Sequence, residues 1–532
     1  MSAGFDVLIV GSGPAGVSAA FPLLDAGLQV LMVDGGTPAV VPPPTGQLLQ
    51  LRERDPQQWR WMVGSNYHAL RQIDALSPKL RVPTHADVFA GFAAANRIDT
   101  QDFIAVGSLA PGGLSKAWGC GVATLSADEL APFPFPSADL RPSYEAVTRR
   151  IGVSGAASDD LADYFGLDDW AQPPVALDAL QAGLLQRYTA RPAARARAGF
   201  RLGRSRVAAL TEAMPGREAC DLSGTCLWGC ARRALYSATD DLRLLRERAN
   251  FHYRPGFVVD RVIRSGSRVG VQAGNGGGEA LHARRLVLAA GTLASTRLAL
   301  QVLAHRDAVP LQSCPSAAFL LCVPRQLGRR RVPAFGLGQL SFALALAGQD
   351  GSPVTGFGSL FDTGGIPVAE FARFLPMARR HGVDVLASLL PACVVGNLFL
   401  PGHLLDARLS LGADDALQVR GRYAEPVPAL MAQAQAQLRA HFRRLGAIML
   451  PFSFALGKPG GDLHYAGSLP MRAQPARGQT DRWGELAGYD GVHVVDGASL
   501  SALTEKSHTL TLMANADRIG RRLGQVLGGQ AQ

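Results

Sequence analysis

Apolar residues run unbroken through Val7-Leu-Ile-Val10 and again through Val30-Leu-Met-Val33. Between them, from Val17 to Ala26, they recur at helical spacing. Short runs of β-branched and aliphatic residues, closed by turn residues, predict strands buried on both faces, as in a parallel sheet. The turn after the first run is Gly11-Ser-Gly-Pro-Ala-Gly16; Gly27 ends the helical stretch, and Asp34 closes the second run. The pattern is strand, glycine turn, helix, strand.

The same signals return far along the chain. Ala283–Ala290 reads as a buried strand, followed by Gly291 and a helix start. Before it, Phe251–Val262 and Arg268–Ala273 predict a meander, with Gly274-Asn-Gly-Gly-Gly278 as a turn. Gly491–Asp496 predicts a strand that ends in an acid and Gly497, and Thr509–Leu523 predicts a helix. A sheet built from N-terminal, middle and C-terminal pieces has other segments inserted between them. In the middle of the chain, strands are expected at Ala317–Val323, Gly338–Ala345, Val394–Leu400 and Arg408–Leu411, and a helix at Leu430–Leu450. The expected class is α/β (α+β overall): a Rossmann-type domain made of discontinuous segments, plus a second domain on a mostly antiparallel sheet.

Chemistry explains the first turn. Gly11 permits the tight bend, Gly13 admits a pyrophosphate close to the backbone, and Gly16 lets the helix pack on the strand. Ser12 and Ala15 complete the loop. The helix start offers free N–H groups and a positive dipole end to phosphates. Asp34 stands where a carboxylate accepts hydrogen bonds from ribose hydroxyls. A lone GxGxxG is weak evidence; with its strand, helix and acid it predicts a dinucleotide site.

The 532 residues exceed one simple core. Lys and Arg exceed Asp and Glu by ten, 53 against 43, but the excess is scattered and no basic block is interleaved with aromatics. That argues against a nucleic-acid surface. No apolar leader precedes Val7, so a cytoplasmic location is expected. Val383–Leu400 comes closest to a membrane span, but Asp384, Pro391 and Asn397 interrupt it. Phe371–Arg380 mixes basic and apolar residues; it reads first as an ordinary amphipathic helix, second as a peripheral contact with a membrane or an acceptor protein. Of seven cysteines, Cys220, Cys226 and Cys230 are spaced Cys-x5-Cys-x3-Cys. No fourth Cys or His adjoins them to make a zinc site, whereas a three-iron cluster needs only three thiolates. Buried free thiols are the equal alternative, a disulfide the third. Cys120 reads as a buried structural thiol.

Five segments together resemble a glucose–methanol–choline (GMC) oxidoreductase, of the bacterial sugar or alcohol dehydrogenase kind. They are Gly11–Gly16 with Asp34; Pro111-Gly-Gly-Leu-Ser-Lys-Ala-Trp-Gly119; Ala289-Ala-Gly-Thr-Leu293; His464-Tyr-Ala-Gly-Ser468; and Val494-Val-Asp-Gly-Ala-Ser499 through His508-Thr-Leu-Thr511. They follow the family's order over nearly the whole chain, with no match between 310 and 450. The resemblance implies FAD. It implies an FAD-binding domain over 1–50, 100–150, 205–310 and 455–532, and substrate and cap segments over 51–99, 151–204 and 311–454. Besides the first loop and Asp34, it implies cofactor contacts from Gly113, Ser115, Val259, Ala290, Gly291, Asp496, Gly497 and Thr509. Ala117 stands where some members carry the histidine that bonds to flavin, so FAD is expected to be non-covalent.

Alcohol oxidation needs a group to take the hydroxyl proton, and a neutral histidine does this near pH 7. His464 fits the family's His-x-x-Gly-Thr/Ser pattern as base, and His508 fits the partner position; the roles are interchangeable at this stage. The other nine histidines, His68 and His85 among them, read as core or surface residues. Some bacterial members hold a [3Fe–4S] cluster on a similar cysteine segment and pass electrons to a cytochrome. Here Ala231 replaces an expected proline. The expected reaction is oxidation of an alcohol, such as a sugar or polyol, to a carbonyl, with a quinone, cytochrome or oxygen as acceptor. The alternatives are a lyase or decarboxylase on the same scaffold, an oxygen-using oxidase, or a flavin-binding subunit with a structural role.

Overall fold

The structure, a computed structural model, describes residues 4–529 except 68, 70–76, 168, 191–198, 275–277, 330, 333, 350, 367–370 and 372–376. His68, half of the Phe371–Arg380 stretch and the middle of the Gly274–Gly278 turn therefore lie outside the described residues.

The nucleotide sheet contains β1 (Phe5–Val10), β2 (Val30–Val33), β3 (Phe251–Arg254), β4 (Val259–Ser265), β5 (Arg268–Ala273), β6 (Ala280–Leu288) and β7 (Val492–Val494). Its parallel part runs β3-β2-β1-β6-β7, in register through Val30↔Phe251, Val7↔Val30, Val7↔Arg285 and Leu286↔Val492. The first half of β6 turns antiparallel to β5, and β5 to β4. The unbroken apolar runs now have a cause. Val7, Ile9, Val30 and Met32 join one core, which includes α1 (Pro14–Asp25) and the last helix. Leu8, Val10, Leu31 and Val33 join a second core on the opposite face, with α2 (Thr292–Val302). Both faces are covered, so polar residues have no place along these strands.

The expected meander strand Phe251–Val262 is two strands with different neighbours. Pro255-Gly256 breaks it, with Gly256 at φ +77°. The first part extends the parallel sheet beside β2, and only the second begins the meander. The last helix, α3 (Thr509–Gly528), lies against α1 and runs one turn beyond the expected end.

The second sheet is wholly antiparallel. Its order is Ile448–Met449, Ser316–Cys322, Cys393–Phe399, Pro353–Asp362, Gly338–Ala347, Phe200–Arg204, with Ala455–Leu456 also on Ser316–Cys322. Pro353–Asp362 and Phe200–Arg204 were not expected; a Pro at the first residue and the glycines at 356 and 358 mask the former. The helix over Val427–Arg444 packs Leu430, Met431, Leu438 and Phe442 on one face of this sheet, against Leu340, Phe342 and Leu360. It stops before the expected Leu450 because Gly446 takes φ +78°. The expected strand at Arg408–Leu411 lies in a third sheet, with Leu417–Tyr423, Val309–Leu311 and Ile98–Gln101. Among the described residues no helix is long and apolar enough to cross a membrane; Val383–Leu400 divides between a helix ending at Leu389 and the strand from Cys393.

Candidate active site

One cavity, about 510 Å³, connects the first glycine turn to His464 and His508. Its nucleotide end begins where β1 enters α1. Gly11 takes φ +103°, and a Cβ there would stand 2.2 Å from the Ala289 carbonyl oxygen. Gly13 caps α1 in extended conformation, and a Cβ there would meet nothing within 4 Å, so the loop leaves open space at the helix start. No acidic side chain occupies the first turn of α1. That cradle fits a pyrophosphate. Gly16, alone of the predicted cofactor residues, is off the cavity wall; a Cβ there would lie 2.0 Å from the Gly11 carbonyl oxygen, so its role is packing.

Asp34 is held from three sides. Ser12 Oγ donates to its Oδ2, Gly36 N donates to Oδ1 at 2.9 Å, and Tyr253 Oη donates to both oxygens at 2.9 Å. Burial nonetheless raises its pKa above the ordinary carboxylate value. Tyr253 comes from β3, and nothing in the sequence near Asp34 signals it. Ser12 also accepts from Gly112 N at 3.1 Å, which ties the 112–115 turn to the first loop. Gly113 takes φ +58°, and a Cβ there would lie 3.3 Å from Gly13 Cα. Ser115 is buried and committed: its hydroxyl donates to Gly112 O and accepts from Ala238 N.

Asp496 joins the distant C-terminal strand to α2. It accepts from Gly291 N at 2.9 Å, Ser295 Oγ at 2.5 Å and Ala498 N at 3.0 Å. Burial pushes its pKa up to about 6. Val259, Ala290, Gly291, Gly497 and Thr509 line the same cavity. The structure thus brings to one cavity residues that the sequence spreads over nearly five hundred positions.

At the far end, His464 and His508 stand edge to face, ring centroids 5.3 Å apart. Burial, and secondarily His464, push the His508 pKa down to about 3, so its ring is neutral. His464 Nδ1 lies 3.4 Å from Asp462 Oδ2. One face of the antiparallel sheet roofs this end. Phe357, Ser359 and Phe361 alternate on one strand, and Val395, Asn397 and Phe399 on the next. The Phe399 ring is 5.2 Å from that of His464. Ser205, Ser341 and Ser359 hydroxyls bond in a chain at 2.8 and 2.9 Å, and Asn397 Oδ1 accepts from Ser359 N. Arg206 is spent on Asp159 and on backbone carbonyls.

The other described histidines lie away from this pair: buried His85 meets the Leu227 carbonyl, and His441 stacks on Phe200. All seven cysteines are free thiols. Cys220, Cys226 and Cys230 are electrostatic neighbours, and burial raises the pKa of Cys220 and Cys226. Cys226 and Cys230 wall a second cavity, about 350 Å³, that shares Lys79, Ser115 and Trp118 with the first; Cys220 is not on that wall, and Cys120 is. Cys120, expected to be merely structural, sits there at φ +57°, with burial pushing its pKa up to about 12. The three predicted sulfurs do not all come within 4.8 Å of one another. Among the described residues only Cys314, Asp462 and His464 place ligand atoms within 4.8 Å of one another. Those three form a hydrogen-bonded group: the Asp462 oxygens take donors from Ser313, Cys314 N and His464 N, and Cys314 Sγ donates to Thr504 O at 3.3 Å.

The family profile described as pyridine nucleotide-disulphide oxidoreductase matches residues 5–102. Among solved structures, pyridoxine 4-oxidase from Mesorbium loti aligns over 97% of this chain and 99% of its own, with a TM-score of 0.57 and 15% identity. A search of curated protein sequences gives no match. At this identity the likeness shows the fold: a nucleotide-binding Rossmann domain with an antiparallel sheet domain. Both findings agree with the GMC resemblance carried by the sequence motifs.

Proposed function

We propose that the chain is an FAD-dependent oxidoreductase that converts an alcohol to a carbonyl, with His464 taking the hydroxyl proton and His508 holding the oxygen. The observation that carries this reading is the convergence of both histidines on the cavity that starts at the Gly11–Gly16 turn. The open cradle at Gly13 and the carboxylate of Asp34 fit FAD. Bound there without a covalent link, FAD supplies the acceptor for the carbinol hydride. The residues do the rest: Asp34 and the α1 start orient the nucleotide, the buried roof excludes water, and the neutral ring of His508 offers polarity without adding charge.

The roof favours an apolar or aromatic alcohol over a sugar. Its phenylalanines offer area rather than polarity, and its serines already bond one another. Sugar hydroxyls would be buried without partners, at a cost of about 1–3 kcal/mol each. The Asn397 amide N–H₂, without an acceptor among the described residues, leaves room for one oriented polar group on the substrate.

A second reading, an iron–sulfur cluster on Cys220, Cys226 and Cys230, draws support from one buried lysine. Lys79 is buried beside Cys120 and Cys226, and its only described partner is the Trp118 carbonyl. A cluster would supply the missing negative charge and a one-electron relay to a cytochrome or quinone. Iron and acid-labile sulfide in protein purified without oxygen test this; their absence leaves buried thiols and favours oxygen as acceptor.

The experiment for the main reading is anaerobic absorbance of the purified protein with benzyl alcohol, a long 1-alkanol, glucose and sorbitol. Bleaching of the flavin bands by the apolar alcohols is expected. Absence of flavin overturns the reading, and product without bleaching identifies a non-oxidative enzyme.

A further inference from the structure

We infer that Asp462 is the positioning residue of His464, fixing its ring so that Nδ1 carries the proton and Nε2 faces the substrate. This rests on the reading of His464 as base. The Asp462 side chain is fully buried, while the His464 side chain is about one-fifth exposed, at 21%. Within that ring Nδ1 is shut off from solvent. Among the described residues it has no hydrogen-bond partner, only the carboxylate oxygen at 3.4 Å. The contact is electrostatic rather than an aligned bond, and such contacts tighten when the base takes its proton. The exposed part of the ring lines the cavity, which leaves the Nε2 edge to the substrate.

Three donors hold the carboxylate in place. Ser313 Oγ bonds Oδ1 at 2.5 Å, and Cys314 N and His464 N bond Oδ2 at 2.9 and 3.3 Å. The last is an Asx turn, in which a side chain bonds the backbone two residues on. Between the two residues, Leu463 takes φ +63°. A left-handed leucine costs about 1–2 kcal/mol, and the fold accepts this where the turn sets Asp462 against the ring of His464. The titratable groups around the carboxylate are His464, Cys314, Tyr423 and Tyr465. Among the described residues His508 has no such partner: its Nδ1 is buried and unbonded. The two histidines are therefore not interchangeable. The hydroxyl proton would pass to His464 Nε2, and the new imidazolium would form beside a carboxylate; bound FAD would supply the two-electron oxidant that accepts the carbinol hydride.

The test is ¹⁵N NMR of the flavin-loaded full chain labelled at histidine, with His464 assigned by its loss in His464→Gln. Wild type is expected to show protonated Nδ1 and bare Nε2. Asp462→Ser keeps an oxygen for the turn but removes the partner of Nδ1, and is expected to shift the ring toward the Nε2–H form. It should also lower the limiting rate of flavin reduction about 10–100-fold, with little change in half-saturation. Ser313→Ala, which only loosens the carboxylate, should give a partial shift in the same direction and serves if Asp462→Ser does not fold. An unchanged tautomer in both variants overturns the inference. Wild-type flavin reduction by His464→Gln overturns instead the assignment of His464 as base, and leaves the tautomer result standing.

Discussion

The rings of His464 and His508 meet at an interplanar angle of 85°, and among the described residues only the first has a carboxylate behind it. This asymmetry predicts unequal loss. His464→Ala should slow flavin reduction about 10²–10⁴-fold, the span of a lost general base. His508→Asn keeps a neutral polar group and should retain a rate within about tenfold, the worth of about one altered hydrogen bond to the substrate oxygen. Anaerobic stopped-flow with the best alcohol substrate measures both; equal losses would make the pair a single unit.

Tyr253 and Asp34 should act together on the cofactor. Tyr253→Phe removes both bonds from Tyr253 Oη to the carboxylate. Losing about 1 kcal/mol of orientation corresponds to roughly fivefold weaker FAD binding. Asp34→Ala should purify largely without FAD. Flavin fluorescence titration of the stripped protein reads both constants, and an unchanged value for Tyr253→Phe would show that Asp34 needs no support.

Gly11→Ala should fail by collision. The new Cβ would lie 2.2 Å from the Ala289 carbonyl oxygen, on backbone already at φ +103°. A destabilisation of about 2–4 kcal/mol is expected, together with loss of flavin. Differential scanning calorimetry of the stripped protein separates the two effects; a wild-type melting temperature would exclude the clash.

Buried groups set opposing pH slopes. Burial lifts Glu505 from 4.5 to about 7. The stability this raised pKa gives is complete below the unfolded value and is lost as pH rises through 7. His508 and His85 are held near 3 instead of 6.5. Their contribution is present above 6.5 and is lost as pH falls toward 3. Glu505→Gln removes the first slope, while its side-chain carbonyl still accepts from Tyr164 Oη, which bonds Glu505 at 2.8 Å in the wild type. The melting temperature of the variant should therefore gain on wild type steadily from pH 5 to pH 8, and a constant gap would sink the assignment.

The sequence by itself determined the local units. Strand, glycine turn and helix at Phe5–Asp25 follow from short-range sterics and from apolar runs that tolerate no exposed face. Gly11, Gly13, Asp34 and the two histidine motifs were legible because their chemistry requires those residue types at that spacing. Tertiary structure decided what no local pattern encodes. It placed Tyr253 on Asp34, because a Pro-Gly break sends β3 to the edge of the parallel sheet. It brought Cys120, from a distant loop, onto the cavity wall that Cys226 and Cys230 line. It turned Ser359, Asn397 and the phenylalanines into a roof, because the helix over Val427–Arg444 claims the other face of that sheet. It also gave His464 a carboxylate and His508 none, and the difference depends on which distant segments bury each ring.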